Sequence, residues 1–246
     1  MGKTARQNIL LVIDVGGTNV KVRTVAQTEP IKIPSGPTMP PTRMVQEVHQ
    51  VLNGLEYTGV AIGYPGPVVN GQPAMEPHNL APGWVGFDYA AAFTAPVKII
   101  NDAAMQALGS YEGGRMLFLG LGTGLGSALI IDNVLAPLEL AHLPYRKDLT
   151  FEDYVGLRGL ERCGKKKWRE SVLDVVARLK AALVVDYVVL GGGNAKHMRE
   201  LPRDVRLGDN ANAFRGGLRM FGQDYPREGT KIPAPAPPSA LSKGAS

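Results

Sequence analysis

Residues 9–21 read Ile9-Leu10-Leu11-Val12-Ile13-Asp14-Val15-Gly16-Gly17-Thr18-Asn19-Val20-Lys21. The apolar run has strand length and reads as a buried strand that delivers a carboxylate at its end. Two glycines, a hydroxyl and a lysine follow. Glycines let backbone N–H groups approach an anion without a side chain in the way. Thr18 adds a hydroxyl donor and Lys21 a point charge. Asp14 cannot bind phosphate itself, but it can hold a hydrated Mg2+ that does. The same residues suit a hairpin with Gly-Gly at its tip, and both readings stand at this point.

The chain has 246 residues, 44% hydrophobic and 20% charged, which is ordinary for a globular protein with a substantial core. A net charge of +5 favours anionic partners without identifying one. The single cysteine, Cys163, excludes an internal disulfide and any multi-cysteine zinc site, and fits a reducing, cytoplasmic setting. No apolar run reaches the roughly 20 residues that cross a bilayer. Residues 1–8 do not read as a signal peptide. The Pro/Ala-rich tail, 226–246, is expected to be disordered.

Strands are expected at 9–15, 19–26 and 29–33, then a helix near 42–54 and a strand at 59–63 that ends in Tyr64-Pro65-Gly66-Pro67. A strand at 97–100 runs into Asn101-Asp102 and an alanine-rich helix, 103–111. Strands at 115–121 and 126–131 flank Gly122-Thr123-Gly124. Thr150 before two acids is a helix start. A long helix is expected at 165–183, a strand at 185–190 closed by Gly191-Gly192-Gly193, and a last helix near 210–221. The alternation argues for an α/β architecture with ligands at strand ends. Asp14-Val15-Gly16-Gly17-Thr18 and Leu121-Gly122-Thr123-Gly124 look like two versions of one device: strand, glycine loop, strand.

Each glycine loop is a tight turn or an anion cradle; two Thr-bearing loops could clamp a polyanion from both sides. No loop is a Walker A or a dinucleotide fingerprint. Asp102 at a strand end can take a proton from a substrate hydroxyl, but Asx residues are also favoured helix caps, a role that Asp102 before Ala103-Ala104 fits. Glu139 and His142, three apart, can both bond vicinal hydroxyls, or simply belong to a surface loop. The loop Pro77-His78-Asn79-Leu80-Ala81-Pro82-Gly83-Trp84 offers an amide, Asn79, and a Trp that either stacks on a sugar or is core. Arg158, Arg162, Lys165, Lys166, Lys167 and Arg169 form a basic run, with Arg146 and Lys147 nearby in sequence. It would attract a long polyanion, or it is a solvated helix face.

Taken in order, Asp-x-Gly-Gly-Thr, Pro-Gly-Pro, Asn-Leu with Gly-Trp, Asn-Asp-Ala, Gly-Thr-Gly-x-Gly-Ser, Glu-Leu-x-His and Gly-Gly-Gly resemble the ROK family of sugar kinases over about residues 8–222. The likeness is greatest to the polyphosphate/ATP-glucokinase branch. It implies a two-lobed actin-like (ribonuclease H-like) ATPase fold with a cleft between the lobes. The small α/β lobe would be 1–101, joined by the C-terminal helix 210–222, and the large lobe 102–209. It implies a hexokinase-type phosphotransferase that moves phosphate from polyphosphate or ATP to the 6-hydroxyl of glucose. Asp102 matches the catalytic base. Asn79, Asn101, Asp102, Glu139 and His142 match sugar-binding positions. Asp14, Gly16, Gly17, Thr18, Lys21, Thr123 and Gly124 match the phosphate loops, and Gly191, Gly192 and Gly193 the adenosine-side loop. Mg2+ would be held by Asp14 through water, and no structural zinc is expected.

The resemblance further implies a cytoplasmic homodimer that engages neither nucleic acid nor membrane. Ala141 stands where the family has glycine, which keeps another hexose or an N-acyl hexosamine open as substrate. A sugar-sensing protein without catalysis is the third reading, and the intact Asp102 and loops count against it.

Overall fold

The computed structural model describes residues 9–25, 27–209 and 211–222. The expected disordered tail therefore lies outside the described residues, as do residues 1–8. The elements run β1 (Leu10–Val15), β2 (Asn19–Thr24), β3 (Ile31–Pro34), α1 (Pro41–Leu52), β4 (Gly59–Tyr64), β5 (Val68–Val69), β6 (Gln72–Pro73), α2 (Tyr89–Ala92), β7 (Val97–Asn101) and α3 (Asp102–Ser110). There follow β8 (Arg115–Leu121), β9 (Leu125–Ile131), β10 (Val134–Leu138), β11 (Pro144–Arg146), β12 (Leu149–Thr150), α4 (Phe151–Val155), α5 (Leu157–Leu183), β13 (Tyr187–Gly191), β14 (Val205–Leu207) and α6 (Asn212–Arg219).

Two five-stranded sheets share one plan. The first has the order β3-β2-β1-β4-β7 and the second β10-β9-β8-β13-β14. In each, an antiparallel meander of three strands is extended by two parallel strands. The likeness of the two glycine loops is thus the local mark of a repeated fold: each joins the first two strands of its sheet.

Strand alternation explains the layers. On β1, Leu11, Ile13 and Val15 face the cluster holding Met44 and Val48 of α1. Leu10 and Val12 face Phe214 and Leu218 of α6. On β8, Leu117, Leu119 and Leu121 face Trp168, Val172 and Val176 of α5, and Met116 and Phe118 face Ala103, Ala104 and Ala107 of α3. Helix α3 leaves the first sheet to cover the second, and α6 returns from the second to cover the first. They cross at glycines: a Cβ on Gly109 would lie 1.8 Å from the Asn212 carbonyl oxygen, and one on Gly216 the same distance from that of Met105. Buried Arg215 adds a guanidinium bond to the Gly109 carbonyl at 3.3 Å.

Two local expectations change. Helix α5 starts at Leu157, earlier than the expected 165, and breaks at Gly164, whose φ of 72° is left-handed. Trp84 is fully buried, with Nε1 donating to the Ala81 carbonyl at 2.8 Å, so it belongs to the core and offers no sugar platform. No helix among the described residues is long and apolar enough to cross a membrane.

Candidate active site

The carboxyl ends of β1, β4, β7, β8 and β13 open on a cleft of about 790 Å3. Its wall carries Gly16, Gly17, Asn79, Asn101 and Asp102 from the first sheet and its loops. Thr123, Gly124, Glu139, His142 and Gly192 come from the second. These ten expected site residues converge. Asp14, Thr18, Lys21, Gly191 and Gly193 do not line it. Asp14 stands directly opposite Lys21 in the β1–β2 ladder, and their side chains pair at 3.1 Å.

The β1–β2 tip is both hairpin and cleft wall. Gly16 N–H donates to the Asn19 carbonyl at 3.1 Å, and the Ser35 hydroxyl donates to the Gly16 carbonyl at 2.6 Å. A Cβ on Gly17 would come within 2.9 Å of the Asn79 Cβ, so this glycine makes room for the amide-bearing loop. That loop is held by Glu76, whose carboxylate accepts from the N–H groups of Gly83, Trp84 and Val85 at 3.0 to 3.2 Å. At the second loop, Gly122 N–H donates to the Gly124 carbonyl at 3.2 Å. Asn194, after the third glycine run, donates to the Gly122 carbonyl at 2.9 Å and so ties the two loops together.

The helix cap is Asn101 and not Asp102. Asn101 Oδ1 accepts from Ala104 N–H at 3.1 Å, and its Nδ2 donates to the Gly66 carbonyl at 3.1 Å. Asp102 is thereby released from capping and takes the first helical position, with Oδ1 accepting from Ala103 N–H at 2.7 Å. Gly63 allows this close start, since a Cβ there would meet the Met105 Cε at 2.4 Å. Burial, then the negative charge of Asp14, then that of Glu139, push the Asp102 carboxyl up to about 7 against the two backbone amides that lower it. Such a group can accept a proton near neutral pH. Glu139 and His142 are exposed to the cleft and make no hydrogen bond within the described residues.

A divalent cation fits this donor set only as a partly hydrated ion. Among the described residues no group of three or more His, Cys, Asp or Glu could cage a metal, and Asp14 is a single carboxylate already sharing charge with Lys21.

Among the wall residues not assigned to the site from sequence are Glu76, His78, Gln106, Glu152 and Arg158. Gln106 had a readable signal, standing one turn after Asp102 on the same helix face. Arg158 was legible only as part of the basic run and Glu152 only as an acid at a helix start, because their place in the cleft depends on how α4 and α5 dock beside the β8–β9 tip. Of the basic run, Arg158 lines the cleft, while Lys165 and Arg169 gather with Lys196 around His197. There partial burial, then these three cations, lower the imidazole below its usual range. Arg146 is drawn off by Asp174 at 3.1 Å.

The model of the ROK family matches residues 10–137, just over half of the chain. A polyphosphate glucokinase of Mycobacterium tuberculosis is 27% identical over 202 residues, covering 74% of this chain and 76% of that one. Among solved structures, the inorganic polyphosphate/ATP-glucomannokinase of Arthrobacter sp. strain KM superposes with a TM-score of 0.69 at 23% identity, over 87% of this chain and 98% of its own. A ROK family glucokinase of Streptomyces griseus, in complex with glucose and AMPPNP, gives 0.64 at 15% identity, over 86% and 98%. At these identities the structures establish the fold: two α/β layers of the actin-like ATPase type around a cleft.

Proposed function

Because this chain belongs to the ROK family, we propose that it is a sugar kinase transferring a phosphoryl group from polyphosphate or ATP to the 6-hydroxyl of glucose. The observation that carries this reading is Asp102, a carboxyl raised to about 7 on a cleft wall shared with both glycine loops and with Glu139 and His142. Glu139, His142 and Asn79 hold sugar hydroxyls, and Asn101 adds the Nδ2 hydrogen that Gly66 leaves. Asp102 aligns the 6-hydroxyl and takes its proton as the oxygen attacks the terminal phosphorus. The bond to the leaving phosphate breaks, giving ADP or a polyphosphate shorter by one unit. Little covalent work falls to the protein, and positioning with charge stabilisation supplies most of the rate. The amides of Gly17 and Gly124 and the hydroxyl of Thr123 balance charge on the transferring group from the cleft wall, with Thr18 and Lys21 behind the first loop adding to the positive field. A bound Mg2+ would neutralise donor phosphate charge, and Asp14, behind the first loop, would hold its water shell. Gly192, flanked by Gly191 and Gly193, borders the donor's far end. The two sheets, divided near 101/102 with α6 returning to the first, act as the two lobes.

Polyphosphate is favoured as donor by the path of cations. Arg158 stands in the cleft, Arg162 one turn further along α5, and Lys165, Arg169 and Lys196 meet at His197. The deciding experiment is a matrix of donors against hexoses, with Lys165→Gln/Lys196→Gln beside the parent. The double variant should lose about tenfold in kcat/KM with polyphosphate, more at low salt, and under about twofold with ATP. Equal losses, or none, refute the path. No turnover of glucose at millimolar levels refutes the substrate. Another hexose or an N-acyl hexosamine is the second reading, kept open by Ala141, which is buried at the cleft wall. A homodimer is expected, and light scattering tests it.

A further inference from the structure

Glu152 touches three parts of the cleft at once. Its backbone N–H donates to the Ala141 carbonyl at 3.0 Å, within the segment that carries Glu139 and His142. Its Oε2 accepts from the Leu125 N–H at 3.3 Å, at the exit of Gly122-Thr123-Gly124. Its Oε1 accepts from Arg158 Nη2 at 3.1 Å. A Cβ on Gly124 would stand 2.3 Å from Oε2, so this glycine gives up its side chain to the Glu152 carboxylate. A loop amide, a bare glycine and a guanidinium around one anion are what a phosphate oxygen requires. Here the anion in that position belongs to the chain itself.

We propose that Glu152 is a positioning residue that fills the anion seat of the second glycine loop until the phosphoryl donor arrives, then yields the loop and Arg158 to a donor phosphate. The proposal rests on the reading that donor phosphates meet this loop. Two anions cannot share the seat, so the donor must move the carboxylate aside. Arg158 is never left unpaired, because it exchanges one anion for another and keeps Asp153 Oδ1 at 3.4 Å. The side chains of Glu152 and Arg158 are 22% and 68% exposed, so the pair can open into the cleft. The backbone stays in place. A capping box between Thr150 and Asp153 pins the start of α4, and the bond to Ala141 fixes the Glu152 amide. The exchange is therefore a side-chain movement that leaves the sugar-side segment undisturbed.

The test uses the full chain, with inorganic tripolyphosphate as probe, titrated calorimetrically in the absence of divalent cations. Glu152→Gln keeps the size and the acceptor for Leu125 but removes the competing charge. It should bind tripolyphosphate about threefold to tenfold more tightly, with glucose affinity unchanged within about twofold. Arg158→Gln should weaken the probe in both the parent and the Glu152→Gln background. In turnover, Glu152→Gln should lower the KM for the donor without lowering that for the sugar, a split that loss of structure would not produce. If Glu152→Gln fails to fold, Glu152→Asp, which keeps the charge and withdraws it by one methylene, carries the same expected sign. Unchanged or weaker probe binding overturns the proposal. So does a donor KM that rises only when Mg2+ is present, which would make Glu152 a cation holder. If neither parent nor variants bind tripolyphosphate, and it does not inhibit turnover, the reading of the loop fails. If all bind it equally, only the seat fails.

Discussion

Asp102→Asn removes the proposed base while keeping the shape and the oxygen that accepts from Ala103 N–H. In the folded chain, burial and the charges of Asp14 and Glu139 raise the Asp102 carboxyl from its ordinary 3.8 to about 7. The sign follows from linkage. Between those values the folded protein holds a proton that the unfolded chain has released, so this group lowers stability as pH rises, fully so above 7. The gap corresponds to roughly 4 kcal/mol at pH 8, and to under about 2 kcal/mol at pH 5. Asn avoids the cost. In the ligand-free protein its Tm should exceed that of the parent at pH 8 by at most about 16 °C, and by less than half as much at pH 5. Activity moves the other way. Loss of a general base costs about 10²–10⁴-fold in kcat, and kcat/KM for the sugar should rise with pH through about 7 in the parent, as Asp102 ionises. Thermal denaturation at the two pH values and initial rates from pH 5 to 9 measure both effects. A Tm gain that is equal at both pH values, an acid limb near 4, or a loss under about tenfold would refute the reasoning.

Gly17→Ala should push Asn79 away from the cleft and raise the sugar KM severalfold in initial-rate assays; a change in donor KM alone would show that the 2.9 Å approach does not matter. Gly109→Ala drives a methyl into the Asn212 carbonyl where α3 crosses α6 and should cost more than about 3 kcal/mol, read by denaturation. Glu76→Gln should speed hydrogen exchange at Gly83, Trp84 and Val85. In the parent, burial pushes this carboxyl up, but the three amides outweigh it and hold it below 4.5, so the loop loosens only as pH falls through that lower value.

Much of the fold was legible because the chain repeats short-range patterns. Strand-length apolar runs ending in glycine loops gave β1 and β8, and their likeness foreshadowed two sheets of one plan. The short pairs β5–β6 and β11–β12 escaped notice, since strands of two or three residues carry no period. Helix α5 begins at Leu157, ahead of the expected 165, and of its glycines Gly159 and Gly164 only Gly164 adopts a left-handed φ. At Asn101-Asp102, composition could not assign the cap, because either residue has the chemistry. The backbone turn at the end of β7 gave the role to Asn101 and left Asp102 facing the cleft.

The sequence by itself determined the local devices: which strands end in glycine, where a carboxylate leaves a strand, and where an acidic pair opens a helix. These depend on neighbours a few residues apart. Only the tertiary structure decided what each charge meets. Register across the β1–β2 ladder set Asp14 against Lys21. Docking of α4 and α5 beside the β8–β9 tip put Glu152 and Arg158 into the cleft. Convergence of Asp14, Asp102 and Glu139, far apart in the chain, moved one carboxyl toward neutrality. Electrostatic energy depends on distance through space and on withdrawal from water, and a linear pattern records neither.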